Sequence, residues 1–112
     1  MIKETIKFDD FMKLDIRVGE VIDAKDFEES EKLLELTVDL GDDYGEKTIF
    51  AGIKKWYSSE EIKGKKMLFL ANLEHRKMMG RESQGMMLAV DDEGKPLLIT
   101  LDDDYKPGLM VR

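Results

Sequence analysis

The sequence predicts an all-β domain, a small Greek-key barrel, and three observations carry that reading. Apolar residues recur with a period of two rather than 3.6: Leu34, Leu36, Val38 and Leu40 alternate with Leu33, Glu35, Thr37 and Asp39. Six strand-like stretches follow one another at intervals of about ten residues, divided by turns rich in Gly and Asp. A single segment, between the third and fourth stretches, carries helix start and stop signals. A split sandwich shares this pattern and stays open at this level.

Taken in order, Phe8 to Leu14 reads as a short helical turn with Phe8 and Phe11 on one side. The first strand follows the imperfect series Ile16, Val18, Glu20, Ile22, with Gly19 at a bulge or a close backbone approach. The second runs along Leu34 to Leu40 and ends in the turn Gly41-Asp42-Asp43-Tyr44-Gly45. Thr48 to Ile53 is the third. Ser58 and Ser59 can then cap a helical turn through Glu60, Glu61 and Ile62. Both acids suit the helix dipole there, and Gly64 ends the turn. Lys66 to Leu73 and Gln84 to Val90 are near-continuous apolar runs that suit a core-facing sheet. Asp91-Asp92-Glu93-Gly94, with Pro96 behind it, turns the chain into the last strand, Leu97 to Leu101. A helix between strands three and four is the layout of a five-stranded OB-type barrel with N- and C-terminal extensions.

The 112 residues fit a single domain, 1–112, with no repeat, linker or low-complexity tract. Such a chain buries roughly 65% of its unfolded surface and needs no cross-link to fold. The absence of Cys excludes disulfide scaffolds, thiol catalysis and Cys-ligated metals. The longest apolar run, Met67 to Ala71, is too short to span a bilayer, and no signal-peptide pattern opens the chain. A soluble, cytoplasmic protein with no membrane partner is expected.

The net charge of −7 argues against a polyanionic partner until its distribution is examined. Lys47, Lys54, Lys55, Lys63, Lys65, Lys66, Arg76, Lys77 and Arg81 fall in one stretch, against three acids, Glu60, Glu61 and Glu74. The balance there is +6, which leaves −13 for the rest of the chain. Two readings follow. The stretch is a nucleic-acid face kept soluble by acidic flanks, or it is a solvated surface laced with ion pairs.

No catalytic constellation emerges. His75 is the sole histidine, flanked by Glu74 and Arg76, and reads as a surface residue without the second positioned group that acid–base chemistry needs. Asp91-Asp92-Glu93 and Asp102-Asp103-Asp104 lack the spacing of a calcium loop and read as acidic turns. Phosphate-loop, dinucleotide and nucleophile-elbow patterns are absent, so neither an enzyme nor a cofactor is expected. Met78-Met79 and Met86-Met87 should each send one thioether to the core and one to solvent or a partner. Trp56 and Tyr57, beside Lys54-Lys55, either stack on bases or plug the barrel end.

The blocks Phe11-x-Lys13-Leu14-Asp15-Ile16-Arg17-Val18-Gly19-x-Val21, Lys32-Leu33, Val38-Asp39-Leu40-Gly41, Ala51-Gly52-Ile53 and Gly64-Lys65 resemble the tRNA-binding domain family. The most specific block is Ala71-Asn72-Leu73-x-x-Arg76-Lys77-Met78-x-Gly80-x-x-Ser83-Gln84-Gly85-Met86-x-Leu88-Ala89. The resemblance implies an OB-fold that binds tRNA by shape. That family includes C-terminal appendages of methionyl-tRNA synthetases, a domain of synthetase-associated cytokine precursors, free-standing dimeric tRNA-binding proteins and a secretion chaperone. The chain therefore looks like a stand-alone member acting as a homodimer, or a separate subunit associated with methionyl-tRNA synthetase. The dimer is implied by the resemblance, with Phe8, Phe11, Leu109, Met110 and Val111 as apolar ends that serve it or fold back on their own barrel.

Carried over by position, Asn72, Arg76, Lys77, Ser83 and Met86 fall in the family's binding block, and Lys32 in its first-hairpin motif. Lys54, Lys55 and Arg81 join them from the basic stretch. Arg76 and Lys77 suit phosphates, Asn72 and Ser83 the sugar hydroxyl, and Met86 an exposed base. The sequence departs from the family at Glu28, Glu29 and Glu31, acids in a loop expected near the RNA, and at Ala51 and His75. With about six phosphates neutralised, log K against log salt should slope between roughly −4 and −5. The alternative is a peptide-binding, secretion-chaperone-like or adaptor module using the Met78 to Met86 surface.

Overall fold

In the computed structural model, which describes residues 1–112, the alternating apolar positions become burial: Leu34, Leu36, Val38 and Leu40 all lose their exposure. The elements run α1 (Phe8–Phe11), β1 (Ile16–Asp26), β2 (Leu34–Asp39), β3 (Glu46–Ala51), α2 (Ser59–Ile62), β4 (Lys66–Leu70), β5 (Arg76–Met78), β6 (Arg81–Ser83), β7 (Met86–Met87), β8 (Ala89–Asp92) and β9 (Lys95–Leu98). Five of them form one antiparallel sheet in the order β3-β2-β1-β4-β7, curled into a nearly closed barrel of OB type. Val21, Ile49, Ile53, Ile62, Met67 and Phe69 complete the interior with the β2 leucines.

The open side of the barrel is a seam between β3 and the Ser83–Gly85 turn. There the Thr48 N–H donates to Gln84 Oε1 at 2.9 Å, and the Gln84 N–H returns to the Thr48 carbonyl at 2.8 Å. The Phe50 N–H donates to Ser83 Oγ at 3.1 Å, and that hydroxyl donates onward to the Gly85 carbonyl at 3.2 Å. Side chains thus supply two of the three bonds across the seam, which a continuous strand ladder would have made backbone to backbone. Helix α2 lies where its Ser58 cap predicts: Ser58 Oγ accepts from the Glu61 N–H, Glu61 accepts from the Ser58 N–H, and Ile62 plugs the core.

The two properties expected at Gly19 separate. The bulge sits at Ile22, where the β1–β2 register shifts between Val21 and Asp23. Gly19 is the close approach: a Cβ there would lie 2.6 Å from Phe69 Cδ1 and 2.7 Å from Val38 Cγ1. The last strands also differ from expectation. β4 stops at Leu70, and the predicted Gln84 to Val90 strand divides into β7 and β8. An additional hairpin, β5–β6, turns at Met79 and Gly80, both with positive φ, as a two-residue primed turn requires. The 108–111 segment folds back on its own barrel. It fills the edge of β1 that β2 leaves free, through Val18 N–H to Leu109 O and Val111 N–H to Ile16 O, each 2.9 Å.

Candidate nucleic-acid interface

The candidate residues divide by what their polar atoms already do. Ser83 is 1% exposed, and its hydroxyl is engaged in the seam. Asn72 pins the N-terminal segment, accepting from the Asp15 N–H at 2.9 Å and donating to the Lys13 carbonyl at 2.7 Å. Lys54 Nζ donates to the Ser30 carbonyl at 3.0 Å and so ties down the acidic loop of Glu28, Glu29 and Glu31. Arg81 makes a bidentate pair with Glu35, at 2.7 and 3.1 Å, with its guanidinium 5.5 Å from the centre of the Phe50 ring. The hydrogen bonds that Arg81 donates to Glu35 raise the Arg81 pKa further and hold its charge in place.

Lys32, Lys55, Arg76 and Lys77 carry no such commitment: none pairs with a carboxylate. Three of them gather around Gly52. On one side Lys32, Leu33, Lys55 and Trp56 line a depression of about 340 Å³ floored by Gly52. On the other, Arg76 and Met86 line a second of about 210 Å³ that also reaches Gly52. Lys77 sits on the opposite face of the β5–β6 hairpin, one residue out of phase with Arg76 and across from Glu82. His75 is exposed, with Nδ1 3.1 Å from Glu82. Met87 packs on the core while Met86 faces solvent, the division expected of that pair; Met78 is only half-buried on the hairpin, away from the core, and Met79 faces solvent. Tyr57 packs on the core and donates to the Pro96 carbonyl, whereas Trp56 remains 40% exposed.

One polar cluster gives no signal in the sequence beyond its place in a motif. Arg17, 9% exposed, bonds Asp15 at 2.6 Å, Asp43 at 3.1 Å and the Gly108 carbonyl at 3.0 Å. The Tyr44 hydroxyl donates to Asp15 at 2.6 Å, and the Arg17 guanidinium lies 5.3 Å from its ring centre. Hydrogen bonds from Arg17, then Tyr44, hold the Asp15 carboxyl below its ordinary 3.8, outweighing burial. The bond to Asp15 raises the Tyr44 phenol above its usual 10.0. The cluster clamps β1, the β2–β3 turn and the C-terminal segment together. Among the described residues no group of His, Cys, Asp and Glu is arranged to hold a metal.

Residues 16–110 match the family described as "Putative tRNA binding domain". The chain belongs to the tRNA-binding domain family. It is 44% identical over 109 residues to the methionine–tRNA ligase of Archaeoglobus fulgidus and 46% identical over 109 to that of Pyrococcus horikoshii. Each alignment covers 97% of this chain but only 16% and 15% of the ligases, so the chain spans about one-sixth of their length. Among solved structures it resembles a MetRS-related protein from Pyrococcus horikoshii (TM-score 0.91, 37% identity, 98% of this chain and 100% of that one). It also resembles the chaperone CsaA of Bacillus anthracis (TM-score 0.85, 26% identity, 97% and 100%).

Proposed function

We propose that this tRNA-binding domain protein is a non-catalytic cytoplasmic module that grips folded tRNA by shape, through the exposed face around Gly52. The observation that supports this most is the set of uncommitted cations, Lys32, Lys55 and Arg76, around two joined depressions, with Lys77 on the adjoining hairpin face. Ammonium and guanidinium groups without carboxylate partners are free to displace counterions from phosphates. Lys63, Lys66 and Arg81 instead face Asp23, the Asp103 carbonyl and Glu35. With three to four phosphates neutralised, the expected salt slope falls to between about −2 and −4. Fluorescence-anisotropy titration of bulk tRNA across salt concentrations measures it, with duplex DNA as competitor. A flat dependence overturns the reading.

The protein acts as a homodimer, or as a separate subunit of a methionyl-tRNA synthetase. Exposed Ile6, Phe8, Met12 and Leu14 at one end of the chain, with Leu109 and Met110 at the other, support an assembly surface. Both ends line a depression of about 320 Å³. Sedimentation equilibrium tests this assembly, and a monomer at all concentrations rejects the homodimer. A second reading, a peptide-binding chaperone-like or adaptor module, draws on Met79 and Met86, 66% and 39% exposed. Peptide binding that is insensitive to salt and survives Arg76→Glu favours that reading.

A further inference from the structure

Gly52 has no side chain, yet the fold does not require that. Its φ is not positive, and a Cβ built there would meet no heavy atom within 4 Å. What the missing side chain leaves open is the floor shared by three adjoining depressions, two of them walled by Trp56. The backbone N–H of Trp56 donates to the Ile53 carbonyl at 3.0 Å and fixes the turn that carries the indole, while its neighbour Tyr57 takes the core-packing role. Lys32 and Lys55 stand at the rim of the largest depression, without carboxylate partners; Glu31 precedes Lys32, and Asp26 and Asp91 line the flanking depressions.

We propose that this depression is a receptor for a single unpaired nucleotide: the base stacks on the Trp56 indole above Gly52, and its flanking phosphates meet Lys32 and Lys55. The proposal rests on the RNA-binding reading above. An exposed indole offers a π-face to any base, and the adjoining ammonium groups favour a phosphate-bearing ligand over an apolar peptide. The volume lies at the lower end of the range that holds a small ligand. A side chain at position 52 would occupy the space the base needs.

Trp56 is the sole tryptophan, so its emission reports this site alone. The intact protein is titrated with short unstructured oligouridylate and, separately, with bulk tRNA. Saturable quenching by both is expected. Trp56→Ala, read by anisotropy of labelled oligouridylate, should weaken binding roughly 5- to 150-fold, with Trp56→Phe retaining most of it. Gly52→Leu should weaken oligouridylate binding while leaving the thermal midpoint near the parent's. Salt-dependent tRNA binding with unchanged Trp56 emission overturns the receptor and leaves the RNA-binding reading intact. Quenching by oligouridylate without tRNA binding supports the receptor and rejects the shape reading. Quenching only by an unfolded peptide, or by no probe, overturns the receptor.

Discussion

Ser83→Ala separates a structural hydroxyl from an RNA-contacting one. In the folded chain the Ser83 side chain is sealed from solvent, accepts from the Phe50 N–H and donates to the Gly85 carbonyl. Alanine leaves that buried N–H without a partner, in a seam that has no strand ladder to replace it. Orphaning one such donor costs about 1–3 kcal/mol. For 112 residues the entropy of unfolding converts each kcal/mol to about 4 °C, so the midpoint should fall by about 4–13 °C. Thermal unfolding followed by circular dichroism reads this directly, and tRNA anisotropy well below the lowered midpoint reads the other half. There the affinity should change less than about threefold, because no free polar atom of Ser83 faces outward. A midpoint within experimental error of the parent, with a large loss of tRNA affinity, would refute the reasoning.

Other perturbations probe separate parts of the molecule. Gly19→Ala forces a methyl into the Phe69 and Val38 side chains and should cost about 1–3 kcal/mol, measured as a lower urea midpoint at unchanged m. Asp15→Asn removes a carboxyl whose folded pKa is depressed. Its stability contribution is therefore present above the ordinary value of 3.8 and is lost as pH falls through the lower folded value. Parent and variant should differ at neutral pH and converge in acid, and a constant difference in acid denaturation would contradict this. Tyr44→Phe has the opposite sign. The raised phenol stabilises the fold below 10.0 and loses that contribution as pH rises through its folded value, so the variant should be the less pH-sensitive of the two in alkali. Arg76→Glu should weaken tRNA binding and flatten the salt slope by about 1 or more, read by anisotropy.

Much of the barrel was legible because its elements announce themselves locally. Leu34 to Leu40 alternates cleanly, and Ser58 with Glu61 forms a capping pair that no competing contact disturbs. The hairpin β5–β6 was not legible: Arg76-Lys77-Met78 and Arg81-Glu82-Ser83 are too short and polar to show a period. Gly80 was its one local signal, since a primed turn needs positive φ at both positions and Met79, unlike glycine, gives no hint of adopting it. The candidate site was legible as a set of residue types but not as a division of labour. Nothing in the chain order shows that Arg81 lies against Glu35 or that Lys54 reaches the Ser30 carbonyl, because both contacts cross between distant elements. The Asp15–Arg17–Tyr44 clamp stayed hidden for the same reason: its members are brought together only once β1 and the β2–β3 turn meet.

That division follows one physical rule. A cation that reaches across to a distant carboxylate or carbonyl fixes an element but loses much of its attraction for phosphate. Arg81 spends its charge on Glu35, and in doing so anchors the turn end of the same hairpin that presents Arg76 at its base. Lys54 does likewise for the loop that ends at Lys32. Each free cation of the proposed face is thus carried by a segment that a committed cation holds rigid. A ligand then meets positive charge already in position, without the ordering cost that flexible lysines on a loose loop would add on binding. The acidic surplus elsewhere does not cancel this. Charges more than about 8–10 Å away are screened at physiological salt, so the phosphates respond chiefly to the groups beside them. The acids that do matter are Glu28, Glu29 and Glu31, because Lys54 holds their loop next to Lys32.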